Sequence, residues 1–304
     1  MRLVRSNFEI IEPKGYAMED IYKQIELAGR VSHKSEHNIK DGSAEKFAQR
    51  MIKYGHYATL EFGTIYLTIP ITSLDFAALA MFYGHNKYSH IEHNEENTEI
   101  YVTTNYRVLV EHEHLSDLEF LCEPTSHHKK RYCVKFILPI GISREFCRHR
   151  VFSFMEQSTR YCNYTSDKFG GEITYIIPPM LNIPEGNYSY IDGDWIDDKR
   201  MKIQITCASE TADRYLKYLD YCSWMYSKMN DVGWPTQLSR GVLPLDTKTE
   251  LFMCGFADDW EHFFKLRDDK QHAHPQAYEL AHGLHNEFIK KGYINAREKE
   301  IKKD

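Results

Sequence analysis

The sequence has no apolar run near eighteen residues, and its first residues, MRLVRSNFEIIEPKG, lack the apolar core of a signal peptide. These two absences argue against a transmembrane helix and against secretion, so we expect a cytoplasmic protein that does not enter a membrane. The seven cysteines form no C-x-x-C pair, and an odd number cannot all pair within one chain. Reduced thiols are therefore the natural expectation.

Two further absences limit the kinds of binding site. The 16 histidines include no H-E-x-x-H motif and no His/Cys spacing typical of zinc sites, so we expect no metal. A Gly-rich Rossmann fingerprint is also missing, since the only closely spaced glycines are Gly170 and Gly171. A nicotinamide cofactor would therefore not be held in a separate dinucleotide domain.

Composition describes a soluble globular protein. Hydrophobic residues make up 42% and charged residues 27% of the chain, and the 16 Phe and 21 Tyr are too many for a disordered one. A length of 304 residues suits one large domain or two ordinary ones. The net charge of −6 argues against a nucleic-acid binder, because such proteins use an excess of basic side chains to neutralise phosphates.

One stretch departs from this acidic balance. Residues 148–161, RHRVFSFMEQSTRY, contain three arginines and a histidine but a single acid, Glu156. The same stretch carries hydroxyl and amide side chains at Ser153, Gln157, Ser158 and Thr159. Arginine guanidinium groups can donate two parallel hydrogen bonds, and hydroxyl and amide groups can donate single ones, to the oxygens of a phosphate or a heterocycle. The stretch therefore predicts an anion site. The alternative is a solvated basic turn or a set of structural ion pairs.

Apolar periodicity predicts the elements around this stretch. The predicted helices are 18–30 closing at Gly29, 43–54, one from Thr72 capped by Asp75, 143–150 capped by Ser143, and 199–232. The predicted strands are 62–70, 100–111, 132–138 and 173–179, with polar connections at 85–99 and 182–197. A helix over 199–232 would be roughly 50 Å long at about 1.5 Å per residue. Such a helix needs a partner surface in this subunit or another.

The stretch RHRVFSFMEQSTRY is similar to the signature of the flavin-dependent thymidylate synthases, in which RHR is followed by a serine, a glutamate, and then a serine, one residue, Arg and Tyr. The matching positions are Arg148, His149, Arg150, Ser153, Glu156, Ser158, Arg160 and Tyr161. The resemblance implies an α+β fold, with an antiparallel or mixed sheet packed with helices, plus long helices. It also implies a single domain over 1–304 with an insertion at about 71–130. The polar loop of this insertion is interpreted as solvated, with a cover over an active-site mouth as the alternative.

The resemblance further implies a flavin site. Ser32, in AGRVSHKS, matches a serine that binds a flavin phosphate, and His56, five residues before Glu61, matches a histidine that meets the flavin. Ala58 stands where the family usually has a small hydroxyl residue. His262 stands where an asparagine or histidine meets the flavin. The implied flavin-binding set is completed by Arg148, His149, Arg150 and Glu156.

A nucleotide site is implied in the same way. Arg240, in a segment resembling Ala-Arg, two residues, Leu-Pro-Leu, matches an arginine that holds the nucleotide, and Arg267 matches the arginine that contacts the pyrimidine. The implied nucleotide-binding set is Glu145, Glu156, Gln157, Ser158, Arg160, Arg240 and Arg267, with Arg267 and Ser158 as the implied catalytic residues. Three positions depart from the family pattern: Glu145 replaces a glutamine, Phe256 an asparagine and Gln276 a glutamate.

The activity implied by the resemblance is the reductive methylation of dUMP to dTMP. Methylenetetrahydrofolate would be the carbon donor, and tightly bound FAD, reduced by NADPH, the hydride source. The resemblance also implies a homotetramer with sites shared between subunits.

The resemblance argues against a nucleophilic role for Cys147 or Cys162, which flank the motif, because the family has no cysteine nucleophile. A nucleic-acid binder and a flavin reductase without methyl transfer stay open. Bound FAD would exclude the first, and dTMP formation the second.

Overall fold

A four-stranded antiparallel sheet joins segments from the start, middle and end of the chain. The computed structural model describes residues 1–72, 74–96, 98–166, 171–197, 202–203 and 210–295. The sheet has the order β2-β6-β12-β7, with β2 at Asn7–Ile11, β6 at Arg131–Pro139, β7 at Ser153–Glu156 and β12 at Lys248–Phe256. Strand β12 pairs with both β6 and β7, so the 148–161 motif is registered against the centre of the sheet.

The two faces of this sheet bury different helices. Strand β12 directs Leu251 and Met253 into a core that includes side chains from α5 (Ile140–Phe146), α8 (Ala257–Arg267) and α9 (Pro275–Lys290). The alternating residues Phe252 and Cys254 pack instead with Ala28 of α1 (Met18–Val31). We call these the α8 face and the α1 face. Successive side chains of a strand point to opposite faces, which lets each motif residue on the sheet be assigned to one face.

Helix α1 packs closely against α2 (Ser43–Lys53). A Cβ atom at Gly29 would lie 2.6 Å from both the Phe47 ring and the Thr59 methyl group, so this position requires glycine. The predicted helices over 18–30 and 43–54 are confirmed. The interpretation of Gly29 as the helix end is wrong, because α1 continues to Val31.

The segment 71–130 adds two strands to β3 and so completes a second sheet beside these helices. Strands β3 (Thr64–Pro70), β4 (His90–His93) and β5 (Glu99–Asn105) have the order β3-β5-β4. Helices α3 (Phe76–His85) and α4 (Tyr106–Glu111) share one core with Ile21 and Ile25 of α1. The Arg107 guanidinium of α4 also lies 2.7 Å from the Glu61 carboxylate. The segment is therefore packed into the N-terminal part of the protein.

A third, mixed sheet has the order β11-β10-β9-β1-β8. Its strands are β1 (Arg2–Val4), β8 (Thr174–Ile176), β9 (Gly186–Ile191), β10 (Asp194–Asp197) and β11 (Lys202–Ile203). Helix α6 (Glu210–Asp231) packs against it through Leu216, Leu219 and Tyr226, and α7 (Thr236–Ser239) follows. The predicted fold class, α+β with antiparallel and mixed sheets packed with helices, is confirmed.

Several predicted boundaries are wrong. The helix expected from Thr72 begins at Phe76, and the Asp75 side chain makes no capping hydrogen bond. Ser143 does not cap α5 but lies inside it, where its hydroxyl oxygen is 3.0 Å from the Ile140 carbonyl oxygen. The strand predicted over 100–111 stops at Asn105, whose side chain accepts from the Val108 amide and begins α4.

The long helix predicted over 199–232 is also wrong in its first part. Lys202 and Ile203 form β11, and α6 begins only at Glu210, with 22 residues. Residues 199–201 and 204–209 lie outside the described residues. The polar connections contain β4, β9 and β10, and the C-terminal part of the chain forms two helices, α8 and α9. Within the described ranges, no helix combines the length and apolarity needed to cross a membrane.

Candidate active site

The basic triplet lies in a turn between α5 and β7. The His149 amide donates to the Phe146 carbonyl at 3.0 Å, and the Phe152 amide donates to the His149 carbonyl at 3.1 Å. His149 is buried, with 8% of its surface exposed. Arg148 and Arg150 are exposed on either side of it. The turn therefore separates one buried imidazole from two solvent-facing guanidiniums.

His149 is held by Arg267 from α8. The Arg267 Nε donates to His149 Nε2 at 3.1 Å, and its two terminal nitrogens donate to the side chain and the carbonyl of Glu145 at 2.9 and 3.0 Å. Because Nε2 accepts, the neutral imidazole carries its proton on Nδ1. The His262 ring lies 6.4 Å from the His149 ring. The structure thus brings four predicted site residues together beside α8.

The surroundings of His149 keep its imidazole neutral. Burial, followed by the nearby Arg267 and His262, lowers the pKa of His149 from 6.5 to about 4. A neutral imidazole can accept a hydrogen bond from Arg267, whereas an imidazolium would repel the guanidinium. At ordinary pH, His149 is therefore neutral and keeps the hydrogen bond that positions Arg267.

This contact predicts a pH dependence of stability. Since the folded pKa of His149 lies below 6.5, the unfolded chain binds more protons between pH 6.5 and about 4. We expect the free energy of unfolding to fall by about 3 kcal/mol over this interval, relative to His149→Gln, which cannot titrate but can still accept from Arg267. Chemical denaturation at pH 7 and pH 4 measures the difference. His93→Gln, at an exposed site, serves as the control. Equal pH profiles for parent and His149→Gln would contradict the assignment.

A polar cavity of about 230 Å³ lies on the same side of the sheet. We call it the Arg240 cavity. Its polar lining residues are Ser143, Arg144, Glu156, Gln157, Thr159 and Arg240. Arg240 donates to the Thr159 hydroxyl at 2.9 Å, and the Ser143 hydroxyl donates to Glu156 at 2.6 Å. Burial raises the pKa of Glu156, against the opposing hydrogen bond from Ser143. Three predicted nucleotide-binding residues, Glu156, Gln157 and Arg240, therefore share one cavity.

Ser158 and Arg160 lie beside this cavity and do not line it. The Ser158 amide donates to the Ser32 carbonyl at 2.9 Å, and its hydroxyl accepts from the Arg160 amide at 3.2 Å. The exposed Arg160 side chain contacts Gln237 at 3.5 Å. The structure therefore uses Ser158 to fasten the end of the motif to the end of α1.

Sequence reasoning missed the group that positions Gln157. Its side-chain oxygen accepts from Lys248 at 3.3 Å, and its amide donates to the Glu250 carbonyl at 2.9 Å. The buried Glu250 carboxylate pairs with Lys34, Lys135 and Lys248. Although burial favours the neutral acid, these lysines hold the pKa of Glu250 well below its usual range. The available signal was the alternation of Lys248 and Glu250, which places both side chains on one face of a strand.

A larger cavity of about 440 Å³ lies on the α1 face. We call it the Ser32 cavity. It is lined by basic and polar residues that include Arg30, Ser32, His33, Arg50 and His56, and by apolar ones that include Phe47, Met51 and Met155. The Ser32 hydroxyl donates to the Gly29 carbonyl at 2.9 Å. Cationic and hydroxyl groups beside an apolar floor suit an anionic heterocycle. Ser32 and His56, both predicted to bind flavin, are therefore brought together.

A third cavity, of about 210 Å³, contains the last arginine of the triplet. We call it the Arg150 cavity. Its lining includes Lys87, Tyr88, Asn105, Arg131, Arg150, Ser153, Phe256 and Asp259. Sequence reasoning missed Arg131, which is buried and donates to the Glu61 carbonyl at 3.1 Å. The available signal was the basic run HHKKR, which ends on Arg131, the first residue of β6.

Strand β7 separates these cavities into two groups. Met155 lies opposite Phe252 and Ser153 opposite Cys254, which places both on the α1 face. Glu156 lies opposite Leu251, on the α8 face. The Ser32 and Arg150 cavities are therefore on one side of the sheet. The Arg240 cavity and the His149 group are on the other.

The cysteine beside the motif is protonated. Burial, with a smaller contribution from Glu156, raises the pKa of the Cys147 thiol to about 12. Cys162 is buried, and neither residue forms a disulfide. Within the described part of the chain, no group of three or more His, Cys, Asp or Glu side chains is arranged to hold a metal ion.

We therefore expect Cys147→Ala to retain turnover. A thiol with a raised pKa is a poor nucleophile, and alanine removes it at little cost in volume. The rate of dTMP formation, the activity implied by the resemblance, and the thermal melting curve of the variant provide the test, with Cys147→Ser as the polar control. Loss of turnover in a folded Cys147→Ala protein would identify a catalytic thiol.

The comparisons with known proteins agree with the motif. Residues 73–291 match the family model described as thymidylate synthase complementing protein. A probable flavin-dependent thymidylate synthase of Paramecium bursaria Chlorella virus 1 is 28% identical over 155 residues, covering 49% of this chain and 62% of that protein. The flavin-dependent thymidylate synthase of Kosmotoga olearia is 25% identical over 178 residues, covering 57% and 66%. The chain thus spans less than two thirds of either relative.

A solved structure of a UMP/dUMP methylase from Streptomyces cacaoi aligns over 95% of this chain and 93% of that chain, with 16% identity and a TM-score of 0.42. The family match includes the 148–161 motif, Arg240 and Arg267, whereas Ser32 and His56 precede it. It covers more than half of the 304 residues. The chain therefore belongs to the thymidylate synthase complementing protein family, and its resemblance to the flavin-dependent thymidylate synthases is confirmed.

Proposed function

We propose that the protein catalyses the reductive methylation of dUMP to dTMP, with methylenetetrahydrofolate as carbon donor and FAD, reduced by NADPH, as hydride source. One observation carries the proposal. The Arg267 guanidinium, matched to the arginine that contacts the pyrimidine, is fixed by three hydrogen bonds to His149 and Glu145. A preorganised fork on the same side of the sheet as a polar cavity suits a site that must hold a nucleotide ring in register.

The donor groups of this chain fit a flavin dinucleotide. The Ser32 cavity combines hydroxyl and cationic groups with an apolar wall, and the neighbouring Arg150 cavity is rich in cations. We assign flavin binding to Ser32, His56, Arg148, His149, Arg150, Glu156 and His262. FAD, when bound, supplies the hydride. The protein's part is to bind, orient and exclude water.

For dUMP, we assign the phosphate to Arg240 and its neighbours on the 156–160 segment. Ser158 and Arg160 are included because they lie one and three residues after Gln157, which lines the cavity. Arg267 and Glu145 are assigned to the pyrimidine side. Because Arg267 already neutralises Glu145, the carboxylate at this position orients the guanidinium instead of repelling the nucleotide.

We propose a homotetramer whose sites are shared between subunits. Ser32 and His56 lie on the α1 face, whereas His149, Glu156 and Arg267 lie on the α8 side of the same sheet. A flavin that contacts members of both sets is most simply bound between copies of the chain.

We further propose that the protein is cytoplasmic, and that residues 1–304 form a single domain with an insertion at about 71–130.

Helix α6 supplies a surface for this assembly. Tyr218, Tyr221 and Trp224 are each about half exposed, and their three-residue spacing places them on one side of the helix. Tyr221→Arg with Trp224→Arg should lower the oligomeric state, because both charges would have to be desolvated in an apolar interface. Light scattering measures the mass, and Leu115→Arg, at an exposed site elsewhere, is the control. An unchanged mass would rule out this surface, and a monomeric parent would refute the tetramer.

The proposed function has a direct test. The purified protein should show flavin absorbance, and reduced flavin should be oxidised when dUMP and methylenetetrahydrofolate are added, with formation of dTMP. Flavin oxidation without formation of dTMP would indicate a flavin reductase without methyl transfer. A protein that binds neither FAD nor dUMP would refute the proposal.

A further inference from the structure

The insertion reaches into the predicted flavin site. Lys87 and Tyr88, from the polar loop of 85–99, line the Arg150 cavity together with Asn105 at the end of β5. These residues meet the last arginine of the RHR motif, although more than sixty positions separate Lys87 from Arg150 in the sequence. The loop is thus part of a cavity wall.

Several contacts hold this loop in place. The Tyr88 amide donates to the Asn86 side chain at 2.9 Å, and the Ser89 and Thr104 hydroxyls lie 2.8 Å apart. The Arg107 guanidinium lies 5.8 Å from the centre of the Tyr88 ring. The Arg107 guanidinium is also paired with the Glu61 carboxylate at 2.7 Å. Glu61 lies five residues after His56 in the sequence. The loop is therefore tied to the segment that carries a predicted flavin-binding histidine.

The Arg150 cavity carries an excess of positive charge. Lys87, Arg131 and Arg150 line it with a single acid, Asp259. The buried Arg131 guanidinium donates to the Glu61 carbonyl and to the Thr64 and Ser153 hydroxyls, which are neutral groups, so Asp259 is the one carboxylate in the lining that offsets these three cations. A cavity of about 210 Å³ is far larger than the roughly 30 Å³ occupied by one water molecule. The site suits an anion of several heavy atoms.

The aromatic group beside these cations narrows the ligand class. The Lys87 ammonium lies 4.7 Å from the centre of the Tyr88 ring, and Phe256 forms another part of the wall. Cations and aromatic rings together recognise phosphorylated heterocycles. A phosphate oxygen offers Lys87 a charge-assisted hydrogen bond, which is stronger than an exposed cation–π contact, so the ammonium can turn from the ring to a ligand.

The position of the cavity favours the flavin over dUMP. Ser153 lines the Arg150 cavity and Met155 lines the Ser32 cavity, two residues apart on the α1 face of β7. One dinucleotide can therefore place different parts in both cavities. The Arg240 cavity, to which dUMP is assigned, lies across the sheet.

We propose that Lys87 and Tyr88 of the insertion form part of the flavin site, in which Lys87 joins Arg150 on a phosphate of the dinucleotide and Tyr88 packs against the ligand. The inference rests on the proposed function. It gives the insertion a role in cofactor affinity, separate from any step of the methyl transfer.

Lys87→Ala should raise the Kd for FAD about tenfold, as expected for loss of one charge-assisted contact. Titration of the flavin-free protein, followed by flavin fluorescence, measures the affinity without turnover. Riboflavin, which has no phosphate, should bind parent and variant equally. Lys87→Arg should keep the affinity for FAD within about threefold, because the positive charge remains. Lys290→Ala, at an exposed lysine on α9, is the matched control.

The outcomes separate this inference from the proposed function. FAD binding by the parent with an unchanged Kd in Lys87→Ala overturns the inference alone. Absence of FAD binding by the parent overturns both. Equal losses for FAD and riboflavin, or equal losses in Lys87→Ala and Lys87→Arg, show that the phosphate contact is wrong. Thermal melting of each variant checks that the fold is retained.

Discussion

Arg267→Ala is expected to lower dTMP formation at least about 100-fold, because it would remove the charge-assisted contact to the pyrimidine that we propose and leave the Glu145 carboxylate unpaired. Arg267 makes three hydrogen bonds, so its removal also frees the acceptor nitrogen of His149. Steady-state formation of dTMP measures the loss. Full activity in Arg267→Ala would refute the assignment of this group to the pyrimidine.

Two controls separate catalysis from folding. Arg267 and Glu145 are both partly exposed, so loss of the pair should cost only about 1–2 kcal/mol of stability. Arg267→Lys keeps the charge but cannot reproduce a fork that reaches His149 and Glu145 at once. It should therefore melt close to the parent while losing most of the activity. Equal activity in Arg267→Lys and the parent would mean that charge alone is needed there.

The motif could be predicted from sequence because the residues that define it are consecutive. Fourteen consecutive residues fix the order of arginines, histidine and hydroxyls, and a turn between a helix and a strand separates the buried His149 from Arg148 and Arg150. The groups that hold the motif in place could not be predicted from neighbouring residues. Lys248 and Arg267 come from more than ninety residues further along the chain, and only the sheet and α8 bring them to Gln157 and His149.

Strand β12 shows why the centre of the fold was missed. Residues 249–254 are buried, so β12 lacks the alternation of polar and apolar positions that marks a half-exposed strand. Thr249 and Glu250 interrupt its apolar run, and burial of Glu250 is possible only because three lysines from separate segments surround it. No local pattern contains that information.

The long predicted helix failed for a related reason. Apolar residues at helical spacing continue through 199–232, yet Lys202 and Ile203 pair with β10, a contact supplied by the sheet. Pairing with a neighbouring strand outweighs a weak local preference for helix. The same effect turns part of the polar loop of 85–99 into β4, which pairs with β5.

The two sides of the sheet suggest a division of labour. Residues matched to the start of the family pattern, Ser32 and His56, line the Ser32 cavity, which is on the α1 face together with the Arg150 cavity. Residues matched to its end, Arg240 and Arg267, serve the α8 side. The motif of 148–161 crosses between them, since neighbouring side chains of β7 point to opposite faces. One short stretch thus presents side chains to both sides of the sheet.

This arrangement makes Arg240 the arginine with the larger expected effect on the dUMP phosphate. Both arginines are exposed, but Arg240 lines the cavity beside Glu156 and Gln157, whereas Arg160 does not line it and contacts Gln237. A charge-assisted contact contributes about 1.5–3 kcal/mol, so Arg240→Ala should weaken dUMP binding roughly 10- to 150-fold. Arg160→Ala should weaken it less. Calorimetric titration with dUMP gives both values.

Deoxyuridine, which lacks the phosphate, identifies the part of the nucleotide that each arginine contacts. Arg240→Ala should bind dUMP and deoxyuridine with nearly equal affinity, because the lost contact is the one that these two ligands do not share. Arg267→Ala should weaken both and keep the parent's preference for dUMP, since the pyrimidine is common to both. Lys265→Ala, at an exposed site on α8, should change neither affinity. If Arg240→Ala still prefers dUMP as strongly as the parent while Arg160→Ala does not, the phosphate belongs to Arg160, and the Arg240 cavity holds another part of the substrate.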